Sequence, residues 1–496
     1  MSAGAGRLHR VVGIETEYGA TSAWVGGPRD GAPLSVREAV EELFRDVSRA
    51  ASGSHRFTAT GARLYVDVGL HPEFAGPECA SLIDVVAHDL AGDHLLRAMT
   101  AAANERLESR GARLHVLKSN TDAWGATFGC HENYQVEREV VLPLGGLIGL
   151  LAARQILTGA GALPPLSDGP GGVGADDGPI GPLRYSARAG HIHGATSADP
   201  THERAFINTR DEPHADASRW RRLHVVAGDS AMSPSTTALK VALVDGALAL
   251  VERGAWDLAE CELVDPAGAA HVWNEDPTAR CDRAGGMGPI SCPDLLDMAL
   301  DRLAGASHSP DEQDDPFTDA ILDLARRGAR ALRTGDASEV DTELDWAIKH
   351  RVLSRVAQRC ECGWDDPRVR RADLAYHDLS GASGLRDDLL RVGLMVGLVD
   401  EGAVERATRR PPVGTRAELR GRVVEACERT GRQLSVGWSH VRLDEPPRPQ
   451  IDLPDPLSAA SAEVDALIEE IVLLGPVDGP RLGRCAPAAG DAARSE

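Results

Sequence analysis

Gly13-Ile-Glu-Thr-Glu-Tyr-Gly19, read together with Gly61-Ala-Arg-Leu-Tyr-Val-Asp-Val-Gly-Leu-His-Pro-Glu-Phe74, decides how this chain folds. In an extended strand, successive side chains point to opposite faces. Glu15 and Glu17 therefore share one face of the first segment, while Ile14, Thr16 and Tyr18 take the other. In the second segment Arg63, Tyr65 and Asp67 share a face, and Leu64, Val66 and Val68 point into a core. Two strands thus turn acids, a base and a phenol the same way. That face suits metal and phosphate, although the same alternation also fits a solvated strand. Glu73 follows in His71-Pro72-Glu73, where a proline-fixed turn swings a carboxylate back toward the sheet. The role of Glu78 stays open.

Working outward, Ser35-Val-Arg-Glu38 reads as a capping box that opens a helix through about Ala51. Leu82 to Arg110 has helical periodicity and stops at Gly111, a C-cap residue. Short β-like segments follow at 113–118, 131–136, 205–210 and 222–228, and helices at 293–304, 317–332 and 340–359. Thr158 to Pro182 and Ser307 to Asp315 read as loops, and the last dozen residues as frayed. A boundary near Pro411-Pro412 divides a main domain, 1–412, from a small C-terminal domain, 413–496. Strands and helices do not alternate regularly, so the class is α+β with an antiparallel sheet rather than a doubly wound one.

A chain of 496 residues with 42% hydrophobic content can bury one large core and a small second one. Its net charge of −22 argues against a nucleic-acid partner, which needs a basic footprint. No apolar run approaches the roughly 20 residues of a membrane span, and Met1 to Arg10 lacks the apolar region of a signal peptide. Nine scattered cysteines argue against a disulfide framework and fit a reducing cytoplasm. Cys360 and Cys362 lack the second pair that structural zinc requires.

Among possible site motifs, Gly169 to Gly174 matches G-x-G-x-x-G but follows Leu163-Pro-Pro instead of a strand, so it reads as a loop. No phosphate loop of the G-x-x-x-x-G-K-[ST] type occurs. In Gly129-Cys-His-Glu-Asn-Tyr134, His131 and Asn133 share a face, with His131 read as structural more readily than as a ligand. Asn208 and Arg210 share a face, and Arg219, Arg221, Arg222 and His224 follow. Such arginines form either a surface ion-pair network or a cradle for a transferring phosphoryl group. Together the segments describe carboxylates that bind Mg²⁺, which bridges ATP phosphates beside arginines. Ligation of an amine to a carboxylate follows from such a site.

The strings GIETEYG, GARLYVDVGLHPEFAGPEC, KSNTDAWGATFGCHENY and INTRDEPHADASRWRRLHVVAGDSAMS resemble the Pup ligase and Pup deamidase family over residues 13–240. The resemblance implies a glutamine synthetase-like domain with a curved antiparallel cradle and a small C-terminal domain. It also implies an enzyme that uses ATP to phosphorylate the γ-carboxylate of Pup's C-terminal glutamate and joins it to a lysine of a target protein, routing that protein to the proteasome. It implies Mg²⁺ ligation by Glu15, Tyr65 and Glu73, with Glu17 as an additional ligand. Arg63 and Trp438 would contact ATP, and Asp67 would be the base that deprotonates the attacking lysine. Arg210 and Arg222 belong to the same nucleotide set.

Two features resemble the ligase branch: the short interval between the first two motifs, and DVGLHPE around Asp67. The alternatives are a Pup deamidase that hydrolyses at the same site, a non-catalytic Pup-binding paralogue, and a small-molecule carboxylate–amine ligase. Four positions depart from the family pattern: Gly76 stands where threonine is usual, Thr60 and Ser119 where asparagine is, and Ala187 where glutamine is.

Overall fold

The first motif forms the end of a long strand, Arg7–Glu17, at the middle of the molecule. This computed structural model describes residues 6–27, 29–50, 55–122, 125–164, 181–198, 204–306, 315–381 and 384–477. Nine strands make the main sheet. Its order runs His55–Phe57, Arg63–Asp67, His71–Ala75, Arg7–Glu17, Cys130–Glu137, Trp220–Val225, Ala205–Asn208 and Gly194–Ser197, with Cys79–Ser81 also paired to the first strand. Every pairing is antiparallel except the last, Ala205–Asn208 with Gly194–Ser197. The α+β class expected from the sequence is the one observed.

The two faces of this sheet have opposite chemistry. Val12 and Ile14 pack into the largest core with Val85, Leu90, Leu239 and Leu243 from the helices Leu82–Leu107 and Pro234–Glu252. Thr16 and Tyr18 continue that face: the Thr16 hydroxyl donates to Asp89 at 3.3 Å and the Tyr18 hydroxyl to Asp93 at 2.9 Å. Buried Lys118 closes the network, with Nζ 2.9 Å from Asp89 and 3.1 Å from Asp93. Burial opposes the Lys118 charge, but the two aspartates outweigh it and hold its pKa above the ordinary lysine value.

Several expectations shift in detail. Val68 is 70% exposed, because the strand ends at Asp67 and the chain turns through Gly69 and Leu70, both at positive φ. The helix capped by Ser35 and Glu38 breaks at Phe44 into Val36–Leu43 and Arg45–Ala50. The Arg210 end of its segment lies outside the strand, which stops at Asn208. The third predicted helix starts at Asp345, not Val340, since residues 338–343 form turns. Pro234–Glu252, 19 residues long, is apolar enough to cross a membrane by composition, yet it is 89% buried in the protein core. The G-x-G-x-x-G stretch, most of both predicted loops and the frayed C-terminus lie outside the described residues.

Beyond Pro412, helices Arg416–Thr430 and Ala462–Leu474 and a three-stranded sheet enclose a separate core of Leu419, Val423, Val441, Leu443, Val464 and Ile471. This unit is tied to the main sheet by charge. Glu78 accepts from Arg416 Nε at 2.8 Å and from Arg420 Nη1 at 3.1 Å. Arg420 also donates to the Gly61 carbonyl at 2.7 Å, and its guanidinium lies 4.9 Å from the Trp438 ring centroid. Gly61 is required there: it sits at φ +80°, and a Cβ would come within 2.9 Å of the Ala417 carbonyl.

Burial penalises the Glu78 charge, but Arg420 and Arg416 outweigh that and bring its carboxyl down to about 2. Glu78→Ala leaves two buried guanidiniums without their anion, so unfolding of the C-terminal unit in denaturant should become easier by about 3–5 kcal/mol. In the wild type the stabilisation from Glu78 is complete above the ordinary carboxyl value of 4.5 and is lost as pH falls toward about 2. Amide exchange across residues 416–474 measures both effects.

Candidate active site

Register brings the predicted residues into rows across the open face. Glu17 lies opposite Glu73, which lies opposite Tyr65. In the adjoining row Glu15 sits between Ala75 and His131, with Arg63 beyond Ala75. Carboxylate oxygens of Glu17, Asp67 and Glu73 lie within 4.8 Å of one another. The Tyr65 hydroxyl donates to Glu73, and Arg63 stacks 4.4 Å from the Tyr65 ring centroid.

Like charges crowd here. Burial, with Glu15 next, pushes the Glu73 carboxyl far above the ordinary range. Burial also raises Asp67, and the charge of Glu17 adds to it. Glu17 goes the other way: burial is overcome by the hydrogen bond to His71 at 2.7 Å, by His131 and by the Gly129 amide. Among the described residues, no lysine or arginine forms an ion pair with Glu17, Asp67 or Glu73. An all-oxygen cluster short of positive charge fits a hard divalent cation such as Mg²⁺. A neutral Tyr65 that donates its hydrogen bond to Glu73 keeps an oxygen lone pair free for the same ion; burial first, then Glu73, holds its hydroxyl protonated.

Glu15 has a different setting. His131 Nδ1 lies 3.2 Å from Glu15 Oε2, and Asn133 Nδ2 donates to Oε1 at 3.1 Å. His224 Nε2 is 3.9 Å away. Burial, opposed by the Glu15 charge, pushes His224 down to about 3, so its ring is neutral at pH 7. Burial of Glu15 is outweighed first by the His131 hydrogen bond and then by the neighbouring histidines and Arg222, and its carboxyl is held well below the usual range. Both His224 ring nitrogens lack hydrogen-bond partners, leaving one open donor and one open acceptor beside an anion.

A cleft enclosing ≈ 630 Å³ runs from this row to the C-terminal unit, lined by Glu15, Gly76, Asn133, Arg222, Arg416 and Trp438. Arg222 donates to Asn133 at 3.1 Å, while its Nε and that of Arg63 are buried without partners. An unsatisfied guanidinium N–H on a residue that lines a cleft, as Arg222 does, fits a phosphate oxygen. Trp438 packs edge-on to Phe57, ring centroids 5.1 Å apart, on the cleft wall. Gly76 lines the cleft without a side chain, and a Cβ there would come 3.2 Å from the Ile14 carbonyl.

Arg210 is not brought to this group. Its Nε donates to the Ala198 carbonyl at 2.7 Å on an exposed loop. Glu78, open in role from the sequence, turns out to hold the C-terminal unit. His131 and His224 were not singled out as site residues. The parity of His224 with Arg222 signals a shared face, but the closeness of both histidines to Glu15 comes only from strand register.

A family profile described as Pup-ligase protein matches residues 10–442. The Pup–protein ligase of Jonesia denitrificans is 38% identical over 469 residues, covering 93% of this chain and 98% of that protein. A solved ligase, PafA, in complex with the prokaryotic ubiquitin-like protein Pup superposes with a TM-score of 0.84 at 31% identity, over 95% of this chain and 93% of that one. A Pup ligase PafA in complex with ADP gives 0.77 at 31% identity, over 91% and 98%. The chain belongs to the Pup ligase family.

Crowded carboxylates predict cation-linked stability. Adding millimolar Mg²⁺ should raise the melting temperature of the wild type, and Glu73→Gln should weaken the apparent affinity by at least about tenfold. Differential scanning calorimetry across an Mg²⁺ series reads both.

Proposed function

We propose that this enzyme uses ATP to ligate the γ-carboxylate of Pup's C-terminal glutamate to lysine ε-amines of target proteins. Family membership supports the ligase class, and the likeness to ligases solved with Pup and with ADP supports the two substrates. The observation that carries the reading is local: the cleft, lined by Arg222 with its unsatisfied Nε, opens onto the carboxylate row at Glu15. A nucleotide in that cleft would present its terminal phosphates to the acids.

Glu15, Tyr65 and Glu73, with Glu17 in addition, would hold Mg²⁺, which when bound neutralises phosphate oxygens that the acids would otherwise repel. Arg63 and Arg222 would donate to the same phosphates, and Trp438 would line the base or ribose end of the cleft. In the first step a γ-carboxylate oxygen attacks the terminal phosphorus of ATP, giving γ-glutamyl phosphate and ADP. In the second the lysine nitrogen attacks the acyl carbon and phosphate leaves. Asp67 takes the proton from the lysine ammonium or the attacking amine, because a protonated amine has no lone pair. Its half-buried carboxyl, raised by burial and Glu17, is a stronger base than an exposed aspartate.

Asp67→Asn should lower conjugation of glutamate-ended Pup by about 10²–10⁴-fold while ATP binding persists. Gel-shift conjugation assays and a fluorescent nucleotide titration measure the two separately. Loss of both would make Asp67 a metal ligand or a structural residue. Wild type that releases ammonia from glutamine-ended Pup but makes no conjugate from the glutamate form would overturn the ligase reading in favour of the deamidase.

A further inference from the structure

Farther along the open face from the acidic row, one residue of the nucleotide cleft carries polar atoms that the protein leaves unpaired. Strand Cys130–Glu137 turns His131, Asn133 and Gln135 toward that face, as strand alternation requires. His131 and Asn133 are engaged with Glu15. Gln135 lines the cleft, and both polar atoms of its carboxamide, Oε1 and Nε2, are buried without a hydrogen-bond partner among the described residues. Its backbone carbonyl, by contrast, accepts from Arg10 Nη1 at 3.2 Å. On the neighbouring strand Trp220 lines the same cleft, and its indole Nε1 is likewise buried and unpaired.

A buried amide normally pairs both its donor and its acceptor, and leaving them dry and unpaired destabilises the fold. An apolar side chain of similar size would sit there more stably, so packing does not account for a carboxamide. The surroundings indicate what would complete it. Val11, Trp438 and Pro456 add apolar surface to the cleft. Gln135 is four strand residues beyond His131, about 13 Å at ordinary strand rise. That span is of the order separating the terminal phosphate from the base in an extended nucleoside triphosphate. Arg222, opposite Gln135 in register, leans back to Asn133 at 3.1 Å and so toward the phosphate end, leaving Gln135 at the other.

We propose that Gln135 selects the base of the nucleotide, with Oε1 accepting from the adenine N6 amino group and Nε2 donating to N7. The assignment rests on the reading of the cleft as the nucleotide site. Adenine offers a donor beside an acceptor on this edge, and a glutamine carboxamide reads the pair with two bonds at once. Guanine presents two acceptors there, O6 and N7, so one of the two buried amide atoms would stay unpaired. Gln135 touches no reacting atom. It sets which nucleotide is held and leaves the rate of the chemistry to the acidic row.

The test compares ATP, GTP and 7-deaza-ATP, which has a C–H in place of N7, on the full-length enzyme. Affinity is read from the melting temperature across a nucleotide titration with Mg²⁺, and kcat and KM from conjugation of glutamate-ended Pup. Wild type should prefer ATP over 7-deaza-ATP by about tenfold and over GTP by about 100-fold, in KM and not in kcat. Gln135→Leu should raise KM for ATP about tenfold, keep kcat within about twofold, and use ATP and 7-deaza-ATP equally. Its melting temperature without nucleotide should equal or exceed that of wild type, because two unpaired buried atoms are gone. Equal affinity of the wild type for ATP and 7-deaza-ATP overturns the assignment. So does a Gln135→Leu enzyme that is less stable yet keeps the wild-type preference, which would make Gln135 structural. Discrimination among the nucleotides in binding, without any conjugate, upholds the role of Gln135 and overturns the ligase reading instead.

Discussion

Repulsion among carboxylates on one face of one sheet is the constraint that organises this protein. Glu17 and Glu73 face each other on neighbouring strands, Glu15 stands in the adjoining row, and Asp67 closes the group at the strand end. The fold offers them a tyrosine, histidines and amides, but no lysine or arginine pairs with Glu17, Asp67 or Glu73 among the described residues. Such a face is stable only if the opposite face is firmly held and if a cation and a polyanion can complete it. The first requirement is met by the helices Leu82–Leu107 and Pro234–Glu252 and by the Lys118, Asp89 and Asp93 network beneath Thr16 and Tyr18. The second is what the substrates bring.

Positive charge is placed around the row in layers. Arg222 lines the cleft, Arg63 stacks on Tyr65 in the row itself, Arg188 and Arg204 line a cavity with His131, and Arg416 and Arg420 stand behind Glu78. The last pair does not serve the chemistry directly. It seats the C-terminal unit so that Trp438 and Arg416 form a wall of the cleft. Glu78 is thus one of the points, with the Arg56–Glu428 pair and the Phe57–Trp438 contact, at which a separately cored unit meets the main sheet.

The sequence reveals much of this because strand alternation is a strict rule. Glu15, Glu17, Arg63, Tyr65 and Asp67 share a face in the structure as their spacing predicts. The capping box at Ser35, the C-cap at Gly111 and, to within a residue, the strands Ala112–Leu117 and Cys130–Glu137 could also be read directly. What could not be read depends on register and on chain ends. Val68 and Arg210 each lie just past the last paired residue, where alternation no longer fixes direction. His131 and His224 meet Glu15 only because their strands are neighbours in a particular register, which no local pattern encodes. Arg188 and Asp229, distant in sequence, come together through a turn held by three hydrogen bonds to one carboxylate.

The central claim is that the acidic row and the arginine-lined cleft cooperate to phosphorylate a carboxylate. Hydroxylamine, which attacks acyl phosphates to give hydroxamates, tests it without any lysine substrate. With ATP, Mg²⁺ and glutamate-ended Pup, the enzyme should form a γ-hydroxamate on the terminal residue together with stoichiometric ADP and phosphate, detectable by mass spectrometry. Absence of hydroxamate despite bound ATP and Pup, or its formation without ADP release, would contradict the account.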